Sequence, residues 1–178
     1  MRTGIVAVML FGLVAPPIRS QEPDSTVATY ERTLILLRDS TVRVRSALQQ
    51  FQRDLQLAGS QTVINRAGRL NDACRALRRS LEAARPVFRP ARAPHDRART
   101  ASQELVSEMG VLETALGTHC LDGLPDSGPG IWADSLKAWG PFHSANLQRQ
   151  LAAYDGAAAA FARAVGIRLP PLQPRGPS

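Results

Sequence analysis

Lysine is almost missing from this chain: Lys137 stands alone against 21 arginines among 178 residues. Aromatic residues are few, with two Trp, two Tyr and five Phe. A core must therefore be built mainly from Leu, Val and Ala, which suits packed helices because alanine has the best helix propensity and lets backbones approach. Cysteine is scarce too: there are two, and no Cys-x-x-Cys. The missing Cys-x-x-Cys-His excludes covalent c-type haem. No His-x-x-x-His spacing and no Glu-x-x-His pair of the di-iron bundles is present. Nor is there a Gly-x-Ser-x-Gly elbow or a phosphate-cradling loop. The residues give no reason to expect an enzyme, a metal site or a cofactor.

Long apolar runs are also lacking. The longest, Gly4 to Ala15, follows the basic Met1-Arg2 and precedes Pro16-Pro17. As a helix it would span about 18 Å, short of the ~30 Å hydrocarbon core of a bilayer, so residues 1–20 read as a signal peptide. The expected location is periplasmic or secreted.

What the chain has in quantity is heptad periodicity. Val27, Tyr30, Leu34, Leu37, Thr41, Val44, Leu48, Phe51, Leu55 and Ala58 step by three and four, with Thr41 the one polar intruder. Strands alternate every second residue, so this pattern is helical. Such a helix would run about 48 Å and needs cover for its apolar stripe. Gly59-Ser60 reads as a stop and restart, with Gly at the C-terminal cap and Ser as the next N-cap. A second seam follows at Val63, Ala67, Leu70, Cys74, Leu77, Leu81 and Ala84, ending at Pro86. Residues 86–94 read as an extended Pro-rich connector. A third helix starts near His95 or Asp96, carries Ala98, Ala101, Leu105, Met109, Leu112 and Leu116, and stops at Gly117. A fourth opens at Gly140-Pro141 with Leu147, Leu151, Tyr154, Ala158, Phe161 and Val165 as its seam, and closes at Gly166.

These patterns predict an all-α fold: an antiparallel, left-handed, heptad-patterned four-helix bundle over residues 21–167. Residues 118–141 are expected to form a long irregular loop between helices three and four, turn-rich over 121–130, in which Ile131, Trp132, Leu136 and Trp139 could form one short amphipathic turn or helix lying on the bundle. The tail, 168–178, holds four prolines and reads as disordered. The first helix is longer than the others, so its surplus must overhang, bend or be covered by the Trp-bearing loop.

An oxidising compartment favours a Cys74–Cys120 disulfide. In a simple matched hairpin the two would sit roughly 18 Å apart. Closure thus requires either a turn back after Gly117 or a connector that carries the third helix higher. Adjacent His119 and Cys120, with Asp122 and Cys74, lack metal-site spacing.

The net charge after residue 20 is +5, concentrated over residues 66–99, where ten arginines face Asp72, Glu82 and Asp96. Arg78, Arg79, Arg85, Arg89, Arg92, Arg97 and Arg99 form the crowded part. A GC-rich genome alone would favour arginine. An anionic contact would use it, since the guanidinium binds carboxylate and phosphate bidentately. The functional expectation is an exported interaction or structural module of the cell envelope. It would bind an envelope protein or an anionic lipid or polysaccharide surface through the Arg-rich tip and the Trp132–Trp139 loop. Nucleic acid is disfavoured by the leader and by the scarcity of aromatics among these arginines, where Phe88 is the one. The alternative is a small-molecule or non-covalent haem carrier using the bundle interior; self-association through the first helix is a further expectation.

Overall fold

A computed structural model describes residues 23–57, 59–121 and 129–170. The expected leader, the segment 122–128 and the tail from 171 lie outside the described residues. Four α-helices carry the fold: α1 (Pro23–Leu57), α2 (Ser60–Ala84), α3 (Asp96–Leu116) and α4 (Pro129–Ala164), with no strand among the described residues. The protein is all-α. The heptad residues are the ones that leave water: Tyr30, Leu34, Leu37, Val44, Leu48 and Phe51 of α1, and all seven expected seam residues of α2, are buried. Full burial of one such large apolar side chain contributes about 1.5–3 kcal/mol. Thr41 is buried without penalty because its hydroxyl donates to its own helix, to the Arg38 carbonyl at 2.8 Å. Among the described residues, no helix is long and apolar enough to cross a membrane.

Helix lengths are unequal in a way that decides the rest of the fold. Helices α1 and α4 have 35 and 36 residues, whereas α2 has 25 and α3 has 21. A ten-residue deficit leaves about 15 Å of α1 without α2 beside it. The Pro-rich connector covers this surplus. Phe88 stacks on Tyr30 at 5.9 Å between ring centroids, and Phe161 of α4 meets both edge-on at 5.1 and 5.3 Å. The connector's backbone is held as well: the Tyr30 hydroxyl donates to the Arg92 carbonyl at 3.1 Å, and the buried Ser102 hydroxyl donates to the Phe88 carbonyl. Phe88 therefore extends the core through a stretch whose one regular element is the 3-10 turn Pro90–Arg92, and the Trp-bearing segment covers the other end of α1, where Trp139 meets Phe51.

The same climb brings the cysteines together. Because the connector rises beyond the end of α2, α3 starts high and returns alongside it, so that Arg85 meets Glu113 at 2.5 Å. From that pair, eleven residues back along α2 and seven forward from Glu113 lead to Cys74 and Cys120. They form a disulfide with Cα atoms 6.4 Å apart. Of the two routes to closure, the chain takes the raised third helix.

Gly117 is the C-cap of α3, as expected, but it is right-handed (φ −57°, ψ −65°), and the chain continues through a π-helical turn, Gly117–Leu121, that carries His119 and Cys120. Two local expectations are corrected. Ser60 is not the N-cap of α2, because Gly59 occupies that place in extended conformation and its carbonyl takes the Thr62 and Val63 amides at 3.0 and 3.3 Å. The fourth helix does not open at Pro141 either. It begins at Pro129 and passes through Pro141, so the helical alternative for the stretch round Trp132 and Trp139 holds, but as the first turns of α4 and not as a separate element within a loop. An interior proline removes one backbone hydrogen bond, at a cost of ~3 kcal/mol. Here Pro141 is on the exposed face, and burial of Leu136 and Trp139 offsets the loss. Gly140 beside it lets α4 pass close to α1: a Cβ there would lie 2.4 Å from Leu55 Cδ1, and that side chain would have to move. At the other end the helix closes as expected: Gly166 has φ +78°, and the Ile167 amide reaches back to Ala162 at 2.8 Å.

Candidate functional site

Two ends of the molecule hold side chains with chemistry to offer. At the connector end, Arg78, Arg79, Arg85, Arg89, Arg92, Arg97 and Arg99 are all exposed. Three have acidic neighbours: Arg78 with Glu82 at 3.3 Å, Arg85 with Glu113 at 2.5 Å and Arg99 with Asp96 at 2.9 Å. Arg79, Arg89, Arg92 and Arg97 have no carboxylate partner among the described residues. Arg85 and Arg89 line a shallow pocket of about 280 Å³ with Glu82, Pro86, Pro90 and Val106. Arg97 sits in the first turn of α3, where the helix dipole disfavours a cation by about 0.3–1 kcal/mol. Helix stability therefore gives no reason for its charge. The turn itself is capped by His95, whose Nδ1 accepts from the Ala98 amide at 3.1 Å.

At the opposite end the sequence expectation changes. Trp139 is not an exposed loop residue. It is 8% exposed, its ring packs edge-on to Phe51 at 5.9 Å, and its face stacks on His143 at 4.7 Å with the planes 7° apart. Helical periodicity buries it, one turn beyond Leu136. Trp132 lies in α4, and its side chain is outside the described residues. The large exposed apolar group here is Phe142, 65% accessible.

His119 and His143, 24 residues apart in sequence, meet in space, with Nδ1 atoms 2.9 Å apart. Burial, and then the neighbouring His119, hold the His143 imidazole below its ordinary pKa. Cys74 and Cys120 are consumed by their disulfide and offer no thiolate. The indole Nε1 of Trp139 and the hydroxyl of Ser144 are buried without a hydrogen-bond partner among the described residues. Next to this end, α1 and α4 flank an open groove of about 870 Å³, lined by glutamines 49, 52 and 56 with Arg53, Lys137 and Pro141. Lys137 pairs loosely with Asp134 at 3.8 Å.

Sequence reading found the arginines and the cystine but missed the histidine pair, because the two are joined only by the turn that carries His119 beyond Gly117. The signal that could have found it is Cys120 itself: once fastened to α2, it fixes its neighbour His119 at the level where α4 passes. Elsewhere charge is consumed in the fold. Arg66 bridges to Asp54 at 2.6 Å and Arg45 to Asp155 at 2.7 Å, and burial raises the Asp155 carboxyl despite Arg45 and Arg38 nearby. Comparison with protein-family models, with curated proteins and with solved structures finds no match to this chain.

Proposed function

We propose that this protein is an exported, non-catalytic binding module of the cell envelope. Its helices form an antiparallel, left-handed four-helix bundle that presents the arginine-rich connector to an anionic surface. The observation that carries this reading is the set of four exposed arginines, Arg79, Arg89, Arg92 and Arg97, on and beside a connector held by Phe88 and Ser102, with no carboxylate partner among the described residues. A held backbone presents the cations in one arrangement, so less conformational freedom is lost on binding. Near an anionic bilayer each such arginine contributes about 1 kcal/mol, so four supply roughly 4 kcal/mol, enough for measurable, salt-sensitive attachment. Antiparallel packing is supported by the α1–α4 register: Arg45 reaches Asp155, and seven residues further along α1 Gln52 meets Gln148, seven residues back along α4.

Co-sedimentation with vesicles tests the reading. The protein should pellet with phosphatidylglycerol-containing vesicles at low salt and be released as salt rises. It should ignore phosphatidylcholine vesicles, and the triple variant Arg89→Glu, Arg92→Glu, Arg97→Glu should lose at least about a hundredfold in affinity. Equal pelleting of the parent and the triple variant would refute it. A parallel titration with an acidic polysaccharide separates a lipid head group from a sugar carboxylate as the source of the anion.

A further inference from the structure

The His119–His143 pair is independent of the arginine end, and its geometry points to a ligand. We propose that His119 and His143 form a two-imidazole site for a divalent copper ion, bound through both Nδ1 atoms with its remaining positions open. Two observations converge on it. The first is convergence: two imidazoles from different elements meet through their Nδ1 atoms at 2.9 Å, which in the free protein is an N–H···N hydrogen bond. A divalent cation takes the place of the shared proton, which is released to solvent. Among first-row divalent ions Cu(II) has the highest affinity for a nitrogen site, and imidazole is one of its suited ligands.

The second observation is how firmly the ligands are held. His119 lies in the π-helical turn and is next to Cys120, which the disulfide ties to α2. His143 is stacked on the buried Trp139 and touches Phe142 edge-on at 5.2 Å. Pairs fixed from two different elements lose little freedom when an ion joins them. With both cysteines oxidised, no thiolate competes for the ion or reduces it. No group of three or more His, Cys, Asp or Glu side chains suited to a metal occurs among the described residues, so water or a donor from outside completes the coordination and the ion is exchangeable.

Trp139 supplies the readout, because Cu(II) within a few ångströms of a stacked indole quenches its fluorescence. Cu²⁺ titrated at pH 7.5 into the oxidised full chain should quench saturably at one equivalent, with an affinity in the micromolar range or tighter. Electron paramagnetic resonance should show a tetragonal signal with coupling to two imidazole nitrogens. His119→Gln and His143→Gln should each weaken binding at least about tenfold. His95→Gln, which alters only the cap of α3, should bind as the parent does. Circular dichroism confirms that each variant remains helical. The proposal falls if the parent shows no saturable quench, if both histidine variants bind copper like the parent, or if the parent's resonance lacks two-imidazole coupling.

Discussion

The two ends of this molecule solve one problem by different means. Each has a stretch that leaves the regular α-helix and must still be held against long helices. At the connector end, residues 85–95 are fixed by aromatic packing and by hydrogen bonds from Tyr30 and Ser102 to backbone carbonyls. At the opposite end, the π-helical turn is fixed covalently through Cys120. The first device is distributed over several contacts and leaves the arginines facing outward. The second concentrates at one bond and leaves polar groups buried without partners. One end therefore leaves its arginines exposed, and the other brings two imidazoles together.

Substitutions should separate these devices. Phe88→Ala removes a fully buried ring touching Tyr30 and Phe161, and should lower stability by about 3–5 kcal/mol in urea denaturation. It should also weaken vesicle binding, because the connector loses its anchor. Replacing both cysteines by serine should lower stability by about 2–4 kcal/mol, as expected for a bond closing a separation of 46 residues. That variant should bind vesicles like the parent, since the connector is held by Tyr30, Phe88 and Ser102 and not by the bond. If the two variants affect vesicle binding equally, the ends are not independent.

How much of this was legible in the sequence follows from which residues carry a pattern. The α2 seam was fully readable because each of its seven positions is apolar or small and lies on one stripe. The start of α4 was not, although it follows the same stripe. Stepping back from Leu147 by heptad spacing lands on Ser144 and Gly140, both buried yet without apolar signal, and Pro141 lies between them. Tertiary packing of Gly140 against Leu55 overrides local propensity there. Phe88 was hidden for the opposite reason, as a lone aromatic among prolines with no period to reveal it. The arginines were visible by composition alone; the histidine pair depended on a turn that no local pattern announces.

A smaller effect sharpens the contrast further. The folded pKa of His143 lies below that of the unfolded chain, so unfolding takes up protons in this window. Its contribution to stability is complete above an unfolded pKa of ~6.5 and is lost as pH falls through the folded value. Stability should therefore decline between pH 7.5 and 5.5, and His143→Gln should flatten that decline. Asp155, whose carboxyl is pushed up by burial, acts with the opposite sign and nearer the carboxylate range. Thermal melts across the series measure both.

The most direct test of the proposed function is hydrogen–deuterium exchange of the protein free and bound to phosphatidylglycerol vesicles. The account predicts slowed exchange over residues 85–99, with residues 134–143 exchanging as in the free protein. Protection over 134–143 with none over 85–99 would contradict it, and would move the contact to the end that holds the histidines.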